Sequence, residues 1–410
     1  MSQYVFSRGA LRGEIRVPGD KSISHRALIL AAASEQPVRF TNLNPGNDVR
    51  ATQLALEQLG YPGQLHDPSG PIDCMNSGTT ARLLMGVCAG ANLRATFVGD
   101  SSLSKRPMEP VAAQLRAFGA KIETTSGFLP AHLEGTSQPQ TRRFILVSPS
   151  AQVKSALLLC GVFGKTKVSV LGDRNSRDHT ERMLQTFGAK IKFDGREVIY
   201  EPGPLGASEI HVPGDFSAAA FFIVAATITP GSDITIKDVG VNPTRTGLLD
   251  ALFAMGAQIE LSNPRTIGGE PVADIHVVAA DLQGTTVGAD LALRAIDEIL
   301  VLSVAAAQAA GPTKITGIGE LRNKESDRVA AISRILGAVD VSVEVVPNGI
   351  EIAGGPGRSG NGTILTHGDH RTAMSVAALA AAAGPLAIDD SSGIDVSFPG
   401  FANILTKAQA

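Results

Sequence analysis

The sequence predicts an α/β fold made of six repeating units, and three observations carry that reading. Six times an alanine-rich apolar run follows directly on a polar, ligand-capable cluster, and a short β-branched run comes after each one. Five times, a further helical pattern ends in a hydrophobic residue and glycine and gives way to another strand. The apolar runs begin near residues 26, 80, 154, 217, 297 and 372, a period of roughly 69 residues, and self-similarity at a fixed period marks a repeat architecture. Each unit reads strand, helix, strand, helix, strands, with three units in each half of the chain.

The runs ALILAAA, ARLLMGVCAGA, SALLLCGVF, AAAFFIVAA, ILVLSVAAAQAA and TAMSVAALAAAA are apolar nearly all round, which predicts buried rather than surface helices. Their polar ends hold the information: Lys21 to Arg26, Asn76 to Thr80, Ser150 to Lys154, Asp215 to Ser217, Asp297 with Glu298, and Asp369 to Arg371. A helix start leaves backbone N–H groups unpaired and carries a partial positive charge, so several such ends suit a multiply anionic ligand. The β-branched runs at 38–43, 94–99, 167–172, 232–240, 313–320 and 385–390 predict strands. Glycines 60, 119, 188, 256 and 337 follow the second helix of a unit and suit left-handed caps.

A chain of 410 residues exceeds what one core usually serves and predicts two domains. The segment Val17-Pro18-Gly19-Asp20-Lys21-Ser22 returns as Val212-Pro213-Gly214-Asp215-Phe216-Ser217, the mark of a duplication. The first strand, near residues 3 to 17, is expected to complete the sheet of the C-terminal half. That gives one discontinuous domain of 1–18 plus 228–410 and a second of 19–227, with a ligand cleft between them and a hinge at the two crossings.

Composition excludes several classes. A net charge of −3, 4% aromatic residues and no tryptophan leave no electrostatic footprint or stacking platform for nucleic acid. Cys74, Cys88 and Cys160 are far apart with no CxxC spacing, and no histidine cluster has metal-ligand spacing, so neither a disulfide frame nor a metal site is expected. No segment offers an apolar stretch suited to secretion or to spanning a membrane. The expectation is a cytoplasmic, monomeric protein acting on small anions.

VPGDKSISHRALIL is the most specific segment, placing Lys21, Ser22 and Arg26 in the first turns of a buried helix, where ammonium and guanidinium groups beside unpaired N–H groups recognise phosphate or carboxylate. GDKSISHRA, NSGTTARLL, GDSSLSKRPM, SAQVKSALL, SRDHTERM, NKESDR and GDHRTAM follow in this order and spacing. Together they closely resemble the 5-enolpyruvylshikimate-3-phosphate synthase family along essentially the whole chain. Gly19-Asp20-Lys21, Ser150 to Lys154, Arg177 to Glu181 and Asn242-Pro243-Thr244-Arg245 resemble its class II variants.

The resemblance implies a two-domain inside-out α/β barrel of six βαβαββ repeats. It implies transfer of the enolpyruvyl group of phosphoenolpyruvate to shikimate 3-phosphate without a metal or organic cofactor, and inhibition by glyphosate. Lys21, Gly78, Arg106, Gln152, Arg328, His370 and Arg371 match positions at phosphoenolpyruvate. Lys21, Ser22, Arg26, Ser150, Ala151, Gln152, Arg177, Asp297 and Lys324 match positions at shikimate 3-phosphate. Asp297 matches the proton acceptor and Glu325 the group implicated in protonating the methylene carbon, with Lys21 the third catalytic position. Glu298 is left as a dipole cap, His25 and His179 as capping and structural residues. Lys324 and Arg328, at i and i+4, are expected on one helical face.

Two patterns mislead. Gly355-Pro356-Gly357-Arg358-Ser359-Gly360 satisfies GxGxxG, but GNGT follows where a helix should open, so a hairpin loop is expected. Gly164-Lys165-Thr166 resembles the end of a phosphate loop, yet residue 159 is leucine rather than the leading glycine. Two departures from the family stand out: Val396 occupies the place of a lysine found in many relatives, and residue 323 is asparagine. A UDP-N-acetylglucosamine enolpyruvyl transferase is the nearest alternative, but its reactive loop cysteine has no counterpart here. A non-catalytic anion-binding protein of the same fold would be expected to lose Asp297 or Glu325, and both are present.

Overall fold

The architecture is a mixed α/β one, described for residues 3–172 and 176–410 by a computed structural model. The chain divides into two compact units, one of residues 1–20 with 213–410 and one of residues 21–212. Each unit has its own apolar core.

Four of the sheets share one topology. In each, two neighbouring strands are parallel and two antiparallel strands complete the sheet; in three of the four the parallel pair flanks a buried helix in the chain. Ile72–Asp73 pairs in parallel with Arg94–Val98, which pairs antiparallel with Phe128–Glu134 and through it Lys121–Thr125. Arg142–Ile145, Val168–Leu171, Glu197–Glu201 and Lys190–Asp194 repeat the order, as do Arg12–Arg16, Asp233–Gly240, Glu270–Val278 and Gln258–Ile267. Thr286–Val287, Thr313–Thr316, Gly349–Ile352 and Val343–Val346 form the fourth. Parallel neighbours need a crossover, which an alanine-rich helix supplies in the sheets whose two parallel strands follow one another in the chain. The remaining two sheets are shorter. Glu209–His211 pairs only with Arg39–Thr41 among the described residues, and Leu386–Ile388 lies between Thr363–Ile364 and the N-terminal Tyr4–Phe6.

The first strands are exchanged. The single strand expected near residues 3 to 17 is two, Tyr4–Phe6 beside Leu386–Ile388 and Arg12–Arg16, which precedes the first buried helix in the chain yet pairs beside Asp233–Gly240 in the C-terminal half. Glu209–His211 makes the reciprocal move, preceding the fourth buried helix but pairing beside Arg39–Thr41. The second crossing therefore falls between Val212 and Pro213 and corrects the expected boundary near 228; the helix Phe216–Ile228 stays with residues 213–410. The duplicated Val-Pro-Gly-Asp segments pair with each other. Gly19 bridges Gly214, Asp20 N donates to Pro213 O at 2.8 Å, and Asp215 N donates to Pro18 O at 2.8 Å.

The six alanine-rich helices are α1 Lys21–Ala31, α2 Gly78–Gly90, α3 Ala151–Phe163, α4 Phe216–Ile228, α5 Ile299–Ala307 and α6 His370–Ala383. Five start a few residues earlier than the apolar pattern indicates, so much of each polar cluster lies in the helix's first turn, as expected for Lys21, Ser22 and Arg26. Side-chain caps fix several starts: Ser77 accepts from Thr80 N, Ser150 from Val153 N, Asp215 from Ser217 N and Asp369 from Arg371 N. These are the residue types that satisfy unpaired helix-start donors.

Four of the five expected glycine caps, Gly60, Gly119, Gly188 and Gly256, have positive φ. Gly337 does not. It is the last residue of the helix Arg328–Gly337, capped by right-handed Ala338, and the turn is made by Asp340 at φ 54°. The GxGxxG segment lies in the connection between Gly349–Ile352 and Thr363–Ile364, which belong to different sheets, so it is not a hairpin and opens no helix.

In the 21–212 unit, α2 and α3 approach closely enough to need glycine. A Cβ on Gly86 would lie 2.3 Å from Ala156 O, and one on Gly90 would lie 2.2 Å from Cys160 O. These contacts are with backbone and cannot be relieved by a rotamer change. Gly86→Ala should therefore lower stability by about 1 to 3 kcal/mol or more through overpacking, measured by urea unfolding. A midpoint equal to that of the parent would show that the helices can separate freely.

Candidate functional site

In the 21–212 unit the polar groups cluster where α1, α2 and α3 begin. Lys21 Nζ pairs with Asp48 Oδ2 at 2.7 Å. Arg26 is buried and fully directed: Nε donates to Thr180 Oγ1 at 2.7 Å, NH1 to Ser22 O at 2.8 Å and NH2 to Ser155 Oγ at 2.7 Å. Next to it His25 is completely buried, its Nδ1 2.7 Å from Thr52 Oγ1. Burial lowers its pKa to about 3 against the opposing pull of Asp48, so the ring is neutral near pH 7. The expected structural role fits; a capping role does not, because the ring bonds Thr52, a side chain of the neighbouring helix Asn47–Gln58.

Gly78 opens α2 beside a second cluster. Arg106 NH2 donates to Asn76 Oδ1 at 2.7 Å and to Ser102 Oγ at 3.2 Å. Gln152 Oε1 accepts from Arg82 NH1 at 2.7 Å, while Gln152 Nε2 donates to Thr79 Oγ1 at 3.1 Å. A Cβ on Gly78 would meet Arg82 NH1 at 2.7 Å, with Arg106 NH1 at 3.6 Å, so Gly78, Arg82, Arg106 and Gln152 form one group. Arg82 was not singled out from sequence, although it stands four residues after Gly78 in the quoted NSGTTARLL, one helical turn away. Ser150 caps α3 and Ala151 is its first residue. Arg177 is partly buried, two residues before the helix His179–Thr186, whose first residue, His179, is buried.

The 1–20 and 213–410 unit gathers the remaining residues around Asp297, just before α5. Arg328 NH1 lies 3.4 Å from Asp297 Oδ1, Arg371 NH2 3.8 Å from Oδ2, and Lys324 Nζ 3.9 Å from Oδ1. Arg371 NH1 also donates to Asp297 O at 2.9 Å. Arg328 is 1% exposed and spends its other nitrogens on Asp369 Oδ2 at 3.0 Å and Glu325 Oε2 at 2.6 Å. Burial alone would lower its pKa, but Asp369, Glu325 and Asp297 outweigh it and drive the pKa up. For Asp369, burial opposes ionisation and the Arg328 guanidinium overcomes it, lowering the carboxyl pKa. His370 is the first residue of α6 and is buried.

Two expectations are corrected here. Lys324 does not share a helical face with Arg328: it ends the 3-10 turn Gly319–Asn323 in extended conformation, and the helix begins only at Arg328 behind the capping Asp327. The Ser326-Asp327 pair is the missed signal, a serine and an aspartate immediately before an apolar-periodic run. Glu298 stands at the cap position of α5 but makes no side-chain cap bond. It accepts a short hydrogen bond from Ser217 Oγ and lies 3.6 Å from Arg371 NH1, fully buried.

Ser217 also accepts from Arg245 NH2 at 2.7 Å. Arg245, from the Asn242-Pro243-Thr244-Arg245 segment, pairs with Asp20 at 3.1 Å and Asp215 at 3.5 Å. Val396 ends the 3-10 turn Ser392–Val396, and nothing in the structure explains the change from lysine there or Asn323, which is exposed. Among the described residues no group of histidine, cysteine, aspartate or glutamate could hold a metal ion.

Arg328→Ala would leave Asp369 buried without its principal counter-charge. Breaking a buried pair in this way costs about 3 to 5 kcal/mol, so a large drop in the urea midpoint is expected, much larger than for Arg371→Ala. Equal midpoints for the two variants would refute the claim that Arg328 holds this end of the unit together.

The chain as a whole is similar to known proteins. A family model described as EPSP synthase (3-phosphoshikimate 1-carboxyvinyltransferase) matches residues 5–405. The 3-phosphoshikimate 1-carboxyvinyltransferase of Alkalilimnicola ehrlichii is 45% identical, with 100% of this chain and 96% of that protein covered. The one from Desulforudis audaxviator is 46% identical, covering 97% of each. Among solved structures, EPSP synthase from Acinetobacter baumannii superposes with a TM-score of 0.86 at 38% identity, over 99% of this chain and 98% of that one. The enolpyruvyl transferase NikO from Streptomyces tendae shares the fold at a TM-score of 0.75 and 15% identity, covering 98% and 96%.

Proposed function

We infer the working parts of the reaction from one premise: this chain belongs to the EPSP synthase family and is a 3-phosphoshikimate 1-carboxyvinyltransferase. It transfers the enolpyruvyl group of phosphoenolpyruvate to shikimate 3-phosphate in aromatic amino-acid biosynthesis. The convergence of Lys324, Arg328 and Arg371 on the carboxylate of Asp297 is the observation that carries the assignment of roles. A carboxylate ringed by cations, beside helix starts, can take a proton while its neighbours bind anions.

The reaction has to bond the 5-hydroxyl oxygen of shikimate 3-phosphate to C2 of phosphoenolpyruvate while C3 gains a proton. The bond from C2 to the phosphate oxygen then breaks, inorganic phosphate leaves, and loss of a proton from the new methyl group restores the double bond. Asp297 accepts the hydroxyl proton and Glu325 protonates C3, with Lys21 beside the reacting groups. Arg106, Arg328, His370, Arg371, Lys21 and Gln152 hold phosphoenolpyruvate, and Gly78 lets the start of α2 come close to it. Ser22, Arg26, Ser150, Ala151, Gln152, Arg177 and Lys324, with Lys21 and Asp297, hold shikimate 3-phosphate. An anion on Arg328 competes with Glu325 for the guanidinium, now 2.6 Å away, which frees the carboxyl to carry a proton.

The sheets are read as six copies of one βαβαββ unit in the inside-out barrel arrangement. The repeated topology of four sheets and the parallel pair in the other two support it. The enzyme is taken to act as a cytoplasmic monomer; among the described residues no helix is long and apolar enough to cross a membrane. A cysteine-dependent enolpyruvyl transfer fits poorly. Burial raises the thiol pKa of Cys74 and Cys160 and pushes Cys88 up to about 12, so none supplies a thiolate at neutral pH.

Phosphate release from phosphoenolpyruvate plus shikimate 3-phosphate is the direct test; release with UDP-N-acetylglucosamine instead would overturn the assignment. Asp297→Asn should lower turnover roughly 100 to 10,000-fold while shikimate 3-phosphate still binds by calorimetry. Turnover within a few-fold of the parent would remove Asp297 from proton transfer.

Glyphosate is proposed to compete with phosphoenolpyruvate, with intermediate sensitivity. Gly78→Ala should raise its inhibition constant more than the phosphoenolpyruvate KM. The added methyl meets the side-chain end of Arg82 rather than backbone, so the guanidinium has to shift, the helix start narrows, and the longer ligand suffers more. A proportional rise in both constants in steady-state kinetics would refute this.

A further inference from the structure

Two of the polar segments singled out in the sequence meet in an ion pair that the reaction as described leaves unused. Lys154 closes Ser150 to Lys154, and Glu181 closes Arg177 to Glu181. Lys154 Nζ lies 2.8 Å from Glu181 Oε1, and each side chain is 1% exposed. The second carboxylate oxygen of Glu181 is buried without a hydrogen-bond partner among the described residues. Such a pair is a poor device for stability alone, because desolvating both charges consumes most of their attraction, and apolar residues of similar size often do as well or better. Its position gives it another use.

The pair joins the first turn of α3, which carries Ser150, Ala151 and Gln152, to the first turn of the helix His179–Thr186, which Arg177 precedes by two residues. Lys154 Nζ also lies 3.4 Å from Ser176 O, directly before Arg177. The chain neighbours of the pair, Ser155 and Thr180, accept from Arg26 NH2 and Nε and bond to each other at 2.7 Å. Two adjacent positions on each helix thus do linked jobs. One position of each helix binds the other helix through charge, and its neighbour aims Arg26.

We propose that Lys154 and Glu181 are positioning residues for shikimate 3-phosphate: the pair fixes the spacing of the two helix starts, and so the places of Arg26, Ser150, Gln152 and Arg177 around the anion. The inference rests on the assignment of those four residues to this substrate. The pair touches no reacting atom. It acts through preorganisation, where a displacement of an ångström at the binding groups is enough to lose affinity.

Glu181→Gln separates this role from simple electrostatics, because it keeps the shape and removes one negative charge near an anionic ligand. Charge alone predicts tighter binding, whereas positioning predicts a shikimate 3-phosphate KM raised about tenfold, one power of ten being about 1.4 kcal/mol. The phosphoenolpyruvate KM should change less than twofold. The double variant Lys154→Met with Glu181→Leu guards against loss of fold: its urea midpoint should stay near that of the parent while the same selective rise in KM appears.

An unchanged or lowered shikimate 3-phosphate KM in Glu181→Gln, or equal rises for both substrates in the folded double variant, overturns the proposal. Arg26→Ala, measured alongside, tests the assignment beneath it. If Arg26→Ala leaves the shikimate 3-phosphate KM unchanged, the assigned site is wrong. If it raises that KM and the pair variants do not, only the positioning role is lost.

Discussion

A guanidinium excluded from water at the start of a helix persists only among anions, and Arg328 has three of them within 3.4 Å. They come from different elements: Asp369 caps α6, Asp297 precedes α5, and Glu325 precedes the helix that Arg328 itself opens. One side chain therefore sets the mutual positions of three helix starts in the 1–20 and 213–410 unit. The same constraint shapes the chemistry. In the proposed mechanism, cations that attract an anionic substrate are already engaged by the proton-transferring carboxylates, so the substrate must compete for them. Arg328 and Arg371 turning to a phosphate or carboxylate would leave Asp297 with fewer counter-charges and better able to take a proton. Clamp and base operate as one electrostatic unit, and the effects of single substitutions in it should not add.

Much of this was legible in the sequence because burial and capping leave local traces. Every expected β-branched run contains a strand, from Arg39–Thr41 to Leu386–Ile388, since such residues favour the pleated, half-buried surface. Five of the six buried helices start earlier than the apolar pattern suggests because that pattern begins only after the polar first turn, while the caps Ser77, Ser150, Asp215 and Asp369 mark the true ends. Gly337 shows the limit of a local rule: glycine after a helix permits a left-handed cap, but Asp340 makes the turn instead. Lys324 failed for a similar reason. The i to i+4 argument assumes a helix, and Asp327 starts it too late for Lys324 to belong.

What the sequence concealed is non-local. The exchange of first strands places Glu209–His211 beside Arg39–Thr41, segments 170 residues apart, and no periodicity records which neighbour a strand takes. Completing only one side of the exchange put the boundary at 228. Yet the duplicated Val-Pro-Gly-Asp segment was the visible token of the exchange. Each copy follows an exchanged strand and precedes a buried helix, and the two copies hydrogen-bond to each other. A repeat that pairs with its own copy must occur twice with the same backbone, which is a reason for the literal echo beyond common descent.

The same reasoning gives meaning to the four variant segments. They sort into two buried pairs: Lys154 with Glu181 in the 21–212 unit, and Asp20 with Arg245 in the other. In each pair both partners come from singled-out segments, so a substitution at one would strand a buried charge on the other. Breaking such a pair costs several kcal/mol, whereas replacing both partners can cost little. The four segments should therefore vary as two linked sets rather than four independent ones. Asp20 makes the linkage consequential, because it holds Arg245 while its chain neighbour Lys21 opens α1 with a proposed role at both substrates. Arg245 in turn donates to Ser217, which donates to Glu298 beside Asp297. A buried network made of none of the proposed substrate-binding groups thus reaches the backbone next to two of the proposed catalytic groups, which is where small errors in position are most costly.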